Sequence, residues 1–532
     1  MNKGGRKKAL TIGEYLIKRL EQVGVRHVFG VPGDYVLEFL NYLEINNIKV
    51  IYGCDELNSG YAADAYARLN GVSAVCVTYG VGGFSLFNAI AGAYAENVPV
   101  IVISGGYPVL KKQKKQPFAN AFAAPKLQSN IYKNITAASI VLSPKNAMQQ
   151  IDEAIQSCMQ TKKPIYIEIP QDIVSKPLKS PKTQPASTVA KSDTETLNEA
   201  VAEAVELLLE AEKPLIFAGV EIHRFGIQNE LKNLLAHTGY LFVTTALSKS
   251  IVSEQHPQFV GVYAGERGNP LANQMVEESD LILGLGVIAI GIGIRSARLD
   301  DIEAHAFTVR IKDKFYHQVR LKDFIHELLI KLPKEQNKRE FIRPATEAVE
   351  KFVVHSGNKI KKERFFKCIN SFLNNRHIVI ADSLDPLFKA LQLFLPEDTF
   401  FISQAFYLSL GFSVPATLGV GLAVPEKRPV LFVGDNAFHL TVQVISIIAR
   451  QEISPIVFLI TETSSVIEAY FSEKEESNLP EWKYCQLPEV FHSKNSWGCL
   501  VRTEGELEEA LAKATKKEKE LAFIEIQLSK NS

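Results

Sequence analysis

The chain lacks the residues from which several common functional classes are built. Its six cysteines, Cys54, Cys76, Cys158, Cys368, Cys485 and Cys499, form no Cys-x-x-Cys pair and no Cys/His spacing. That excludes a zinc module and a disulfide framework and points to a reducing compartment. Excess charge is missing too: 59 lysines and arginines balance 59 aspartates and glutamates, so there is no basic field for nucleic acid and no acidic tail. The one local exception, Lys111, Lys112, Lys114 and Lys115, reads as a solvated loop. The longest apolar run, "LGLGVIAIGIGI" from Leu283 to Ile294, is too short and glycine-rich to span a bilayer. The N-terminal "MNKGGRKKALTIGEYL" is basic but lacks the apolar segment of a signal peptide. A soluble, cytoplasmic protein is expected, with no nucleic-acid or membrane partner. Histidine is absent between His27 and His223, which removes from that stretch the side chain that ordinarily titrates near neutral pH.

What is present is length and a repeating pattern. A chain of 532 residues exceeds a single hydrophobic core, and about three domains are expected. "TIGEYLIKRLEQVG" opens with a capping box, Thr11 with Glu14, and carries Ile12, Leu16, Leu20 and Val23 at helical spacing. Short apolar runs then alternate with helical patterns: "SAVCVT", "VPVIVIS" and "PIYIEI", then "PLIFAG" and "DLILGLG", and finally "HIVIAD", "PVLFVGD", "PIVFLIT" and "AFIEIQ". Such runs read as parallel strands buried on both faces, which makes the fold class α/β with doubly wound parallel sheets. Two stretches break the rhythm: "VSKPLKSPKTQPASTVAKSDTET" from Val174 reads as a linker, and "EQNKREFIRPATEAVE" from Glu335, charged and with a proline, marks another boundary. Three units are expected, at 1–180, 195–335 and 355–532. The middle "GLGVIAIGIG" lacks the G-x-G-x-x-G spacing of a nicotinamide-binding turn.

Individual acidic residues have plain readings on local pattern alone. Glu56 in "CDELNSGYAADAYAR" caps the helix that follows, Asp34 in "PGDY" is a turn residue, and Glu468 in "SSVIEAY" is a first-turn helix glutamate. His439 reads as a packed or surface imidazole, and Asp385 in "ADSLDP" as a turn aspartate at a strand end.

Taken together and in order, "VFGVPGDYVLEFLNYL", "YGCDELNSGYAADAYARLNG" and "TYGVGGFSLFNAIAGAYAENVPVIVISG" resemble the pyrimidine-binding domain of thiamine diphosphate enzymes, most closely the pyruvate and indolepyruvate decarboxylases. "SLGFSVPATLGVGLAVPEKRPVLFVGD" resembles their diphosphate-binding domain. The resemblance implies that 1–180 binds the pyrimidine, 195–335 is the middle domain and 355–532 binds the diphosphate. It implies that Glu56 hydrogen-bonds a ring nitrogen of the cofactor, where a carboxylic acid is needed to pass a proton. Asp34 and Glu468 become the carboxylates facing the substrate, and Thr78 a wall of the pyrimidine pocket. Leu410 becomes the bulky residue supporting the bent cofactor, with Leu408, Asp385, Ile467, Gly434, Asp435, Asn436 and Ala437 as further contacts. Magnesium would be held by Asp435, Glu462 and the carbonyl of Ser464. The two motif sets meet across a subunit interface in the family, which implies at least a homodimer and suggests a homotetramer.

The chain departs from the family in two places. The His-His pair of the decarboxylases has no counterpart. The Gly-Asp-Gly and Asn-Asn motifs read Gly434-Asp435-Asn436-Ala437 and Thr461-Glu462. Asparagine tolerates a left-handed backbone in place of glycine, and glutamate is a hard oxygen ligand that suits magnesium while adding charge beside a diphosphate. The expected activity is non-oxidative decarboxylation of a 2-oxo acid with thiamine diphosphate and Mg2+. A carboligase and a pseudoenzyme with a structural or regulatory role are the alternatives.

Overall fold

Thr11 opens the first helix as the capping box requires: its hydroxyl accepts from the Glu14 amide at 3.2 Å, and its own amide donates to the Glu14 carboxylate at 2.8 Å. The computed structural model describes residues 10–109, 126–178, 191–288, 301–334, 352–461, 482–491 and 494–529. The chain divides into two compact units, 1–190 and 191–532.

In the first unit the apolar runs form a six-stranded parallel sheet of β1 (His27–Gly30), β2 (Lys49–Tyr52), β3 (Ser73–Val77), β4 (Val100–Gly106), β5 (Ala138–Val141) and β6 (Ile165–Pro170), in the order β2-β1-β3-β4-β6-β5. Helices α1 (Ile12–Gln22), α2 (Leu37–Ile45), α3 (Glu56–Asn70), α4 (Val81–Ala95), α5 (Leu127–Tyr132) and α6 (Ala147–Thr161) connect or flank these strands. Strand residues alternate between the two faces. Val28, Ala74, Ile101, Ile103, Ile165 and Ile167 face a core shared with α1, α2 and α6. Their neighbours face α3, α4 and α5, where Phe29 meets Tyr66 edge-on and Tyr166 stacks on Tyr132 at 4.5 Å.

The second unit carries two sheets. The first comprises β7 (Pro214–Ala218), β8 (Leu241–Thr245), β9 (Phe259–Tyr263), β10 (Leu281–Leu285), β11 (Ile302–His305), β12 (Thr308–Ile311) and β13 (Lys314–His317). Its order is β13-β12-β11-β10-β7-β8-β9. It is not wholly parallel, as the sequence pattern suggested: β11, β12 and β13 form an antiparallel meander. The reason is local, because two-residue connections, Ala306-Phe307 and Lys312-Asp313, leave no room for a crossover helix. Lys312 takes the positive φ of 51° that the second turn demands.

The last sheet contains β14 (His377–Ala381), β15 (Phe401–Ile402), β16 (Arg428–Gly434), β17 (Ile456–Thr461), β18 (Ser496–Val501) and β19 (Leu521–Gln527), in the order β15-β14-β16-β17-β19-β18. Counted along its own chain, this is the 2-1-3-4-6-5 order of the first unit. One apolar cluster runs through both sheets of the second unit. A buried ion pair also joins them: Lys249 binds Glu254 at 2.6 Å and the Leu393 carbonyl at 2.7 Å, while Glu254 accepts from the Leu395 amide at 2.8 Å. Residues 179–190 of the first break, the whole of the second at 335–350, the lysine cluster at 111–115 and 289–294 of the long apolar run lie outside the described residues. None of the six cysteines forms a disulfide. No described helix is long and apolar enough to cross a membrane.

Candidate active site in two halves

In a 2-1-3-4 parallel sheet the strand order reverses between strands 1 and 3, so the connections leaving them pass to opposite faces and leave a crevice at the carboxyl ends. In the first unit those ends belong to β1 and β3, and they carry Asp34 and Thr78. In the last sheet they belong to β14 and β16, and they carry Asp385 and the Gly434–Ala437 turn.

The first half-site is built on short connections. Asp34 lies exposed in the turn after β1, where the Val36 amide donates to the Gly33 carbonyl at 2.9 Å. Thr78 is buried and accepts from the Tyr35 amide at 3.4 Å, which ties the two strand ends together. Glu56 is the first residue of α3 but does not cap it. Asp55 does so, accepting from the Asn58 amide at 2.8 Å. Among the described residues Glu56 makes no hydrogen bond or ion pair, so its half-buried carboxylate has no structural duty there. A methyl group built on Gly82 would stand 3.1 Å from Glu56 Oε1 and 3.2 Å from Thr78 Cγ2. Glu56 Oε1 and Thr78 Cγ2 therefore both stand against the bare backbone of Gly82 at the start of α4, where a larger residue would crowd them. A carboxyl without a structural partner at this place matches the group that a pyrimidine ring nitrogen needs.

The second half-site gathers around a residue that local pattern did not single out. Asp382, at the end of β14, is fully buried and accepts from the amides of Ser383 at 2.9 Å, Gly411 at 3.3 Å and Ser413 at 3.0 Å. Burial raises its pKa, opposed by the hydrogen bonds from Ser413, Gly411 and Ser383. The clue in the sequence was an aspartate directly after a fully apolar strand. It shapes the turn that holds Leu408, with φ of 58°, and the exposed Leu410. Gly411, with φ of 84°, lets this turn close on the helix Asp435–Thr441: an added Cβ would lie 3.0 Å from Leu440 and 3.3 Å from the Ala437 carbonyl.

Asp435 starts that helix, and its carboxylate accepts from the Asn436 amide at 2.7 Å. Asn436 lies inside the helix and needs no left-handed backbone, so the tolerance invoked for it is not required. Beside Gly434 an added Cβ would meet, among the described residues, nothing nearer than Pro386 at 3.9 Å. Asp385 is held by Lys362 at 3.1 Å. His439 is packed, bonded to the Tyr484 hydroxyl at 2.8 Å and lying against Trp482. Tyr484 is pushed up to about 12 by burial and by the charge of Asp435. Glu462, Ser464, Ile467 and Glu468 lie outside the described residues. Among the described residues no group of three metal-ligating side chains occurs, and Asp435 is the described member of the expected magnesium set.

Residues 10–127 match the N-terminal TPP-binding domain of thiamine pyrophosphate enzymes, 201–299 the central domain and 389–526 the C-terminal TPP-binding domain. Pyruvate decarboxylase 4 of Arabidopsis thaliana is 32% identical, covering 98% of this chain and 89% of its own length. A pyruvate decarboxylase of Aspergillus fumigatus is 32% identical, covering 94% and 91%, and pyruvate decarboxylase isozyme 2 of Saccharomyces cerevisiae is 31% identical, covering 94% and 92%. With all three domains matched in order and the alignments spanning nearly the whole chain, the protein belongs to the thiamine diphosphate-dependent 2-oxo acid decarboxylase family.

Proposed function

We propose that the protein removes carbon dioxide from a 2-oxo acid without oxidation, using thiamine diphosphate held with Mg2+ between a pyrimidine half-site and a diphosphate half-site. The observation that carries this reading is that Asp34 and Thr78 in the first unit, and Asp385 and Asp435 in the second, follow the switch-point strands of two sheets with one topology. When bound, thiamine diphosphate supplies the electron sink that loss of carbon dioxide requires. Glu56 holds a proton at its carboxyl for the ring nitrogen of the pyrimidine, and its freedom from capping suits that work. Thr78 walls the pyrimidine pocket. Asp34, exposed at the crevice, delivers a proton to the product side, with Glu468 as its partner carboxylate. Asp435 with Glu462 and the Ser464 carbonyl hold the metal, while Leu408, Leu410, Asp385, Gly434, Asn436, Ala437 and Ile467 shape the diphosphate half. Two copies complete one another's sites in a homodimer, paired into a homotetramer, in the cytoplasm. Exposed apolar side chains around both halves support an assembled form: Leu37 and Val81 in the first unit, and Leu384, Phe406, Leu410 and Leu440 in the second.

Calorimetric titration with thiamine diphosphate across a magnesium series, in wild type and Glu462→Asn, tests the reading. Metal-dependent binding in wild type, with altered metal preference and equal or tighter binding in the variant, is expected. The loss of the His-His and Asn-Asn pairs favours a second reading, a pseudoenzyme. Absence of binding at millimolar cofactor and metal would decide for it.

A further inference from the structure

Ser104, Tyr166 and Glu168 lie on the face of the first sheet covered by α3, α4 and α5, in register with one another: Ser104 pairs with Glu168 across β4 and β6. On that face a chain of hydrogen bonds runs in one direction. The Gly80 amide donates to Gln128 Oε1 at 2.7 Å. The Gln128 amide nitrogen donates to Tyr166 Oη and to Ser104 Oγ, both at 2.9 Å. The Tyr166 hydroxyl donates to Glu168 Oε2 at 3.0 Å. Gln128 and Tyr166 are wholly buried and Glu168 is 5% exposed. Flipping the Gln128 amide would set its NH2 against the Gly80 N–H, so the network itself fixes the orientation. With every donor aimed the same way, each bond polarises the next. The acceptor strength of Glu168 is therefore felt at Gly80.

Gly80 is where the backbone turns from β3 into α4, with φ of 76° and ψ of −104°. Thr78 stands on one side of this turn and Gly82, beside Glu56, on the other. The turn is gripped at two further points. The Tyr132 hydroxyl donates to the Gly83 carbonyl at 2.6 Å. The Gln128 side chain is also wedged against Gly83, where an added Cβ would fall 2.1 Å from Nε2.

Among the described residues, the titratable groups facing Glu168 are Tyr166 on β6, Tyr79 after β3, Tyr107 after β4 and Lys126 before α5. Burial pushes the Glu168 carboxyl up to about 7, against the opposing hydrogen bond from Tyr166 and the charge of Lys126. Burial, reinforced by Glu168, also raises Tyr79, Tyr107 and Tyr166. The phenols keep their protons, and Glu168 is the member that changes charge near neutrality.

We propose that Glu168 is a positioning residue for the pyrimidine half-site: as the last acceptor of this chain it sets how firmly Gly80 is held, and through Gly80 where Thr78 and Glu56 stand. The cofactor part of this inference rests on the reading of Glu56 and Thr78 given above; control of the turn does not. An ionised carboxylate accepts more strongly than a neutral carboxyl, so the turn tightens as Glu168 releases its proton to solvent.

Hydrogen exchange at the Gly80 amide, in full-length protein without cofactor and expressed as protection, tests this from about pH 6 to about pH 8, either side of the Glu168 transition. Wild type gains up to about two-fold protection as the pH rises, the effect of strengthening one hydrogen bond by polarisation along the chain. In Glu168→Gln the amide still accepts from Tyr166 but does not titrate; in Tyr166→Phe the acid remains but the chain is cut. Both lose the step. A step that survives in both variants, or is absent from wild type, overturns the proposal. Thiamine diphosphate affinity over the same range should tighten up to about two-fold in wild type and stay flat in Glu168→Gln, and an equal step in both overturns the cofactor part. No cofactor binding at any pH, with the exchange step intact, would sink the reading of Glu56 while control of the turn by Glu168 still stood.

Discussion

Replacing Glu168 with glutamine should make the protein more stable at pH 8 and leave it nearly unchanged at pH 4. In the unfolded chain the carboxyl ionises near its ordinary value of 4.5, while in the folded protein burial holds it at about 7. Below 4.5 both states are protonated and the group contributes nothing. Between 4.5 and 7 the unfolded state gains by ionising and the folded state does not, so stability falls as pH rises. Above 7 the penalty is complete. A separation of about 2.5 units at 1.36 kcal/mol each gives about 3 kcal/mol. Glutamine keeps the acceptor for Tyr166 and removes the titration. The variant's advantage should therefore grow through this window and level off above it. Pulse proteolysis in urea, following fragments of the first unit at each pH, measures the difference without requiring whole-chain refolding. Infrared difference spectra supply an independent check, since the carbonyl band of a protonated carboxyl should disappear near pH 7 in wild type and be missing from the variant. A stability difference that does not change between pH 4 and pH 8 would refute the linkage, and with it the buried, neutral Glu168.

Lys249→Met removes one partner of the buried pair that ties the two sheets of the second unit and leaves Glu254 charged without a counter-ion. It should destabilise that unit by about 3–5 kcal/mol, seen as a lower urea midpoint, with recovery when Glu254→Leu is added. His377, buried against Phe372 and held down to about 4 by burial and by Arg428, is neutral in both states above 6.5; as pH falls from there towards 4 the unfolded chain gains by protonating and the folded state does not, so stability is lost. Up to about 3 kcal/mol of acid destabilisation should be absent from His377→Gln in urea titrations at pH 7 and pH 4.5. Glu56→Gln should abolish thiamine-dependent carbon dioxide release and leave the circular dichroism and melting temperature unchanged, because the side chain has no capping role. Wild-type turnover in that variant would remove Glu56 from the chemistry.

The division between what was legible in sequence and what was not follows the range of the forces involved. Runs such as "PIYIEI" and "PVLFVGD" are strands because β-branched and apolar residues in unbroken runs suit a sheet covered on both faces, a property each segment carries alone. The capping box of Thr11 and Glu14 is equally local. The antiparallel meander of β11, β12 and β13 was missed because only strand pairing reveals that its connections are two residues long.

Tertiary structure alone decided the rest. Strand order sets Thr78 beside Asp34 and the Asp435 turn beside Asp385, a matter of which edges pair and not of any residue's propensity. Lys249 finds the Leu393 carbonyl 144 residues away. Which acid caps α3 was not legible either: Asp55 had to be seen doing so before Glu56 could be called free of that task. Glu168 looked like one polar letter in an apolar strand. Its raised pKa exists because α5 and the ends of β3 and β4 shut water away from it. Desolvation depends on everything packed around a group, so a carboxylate's neighbours in sequence state its chemistry and only its neighbours in space state its charge.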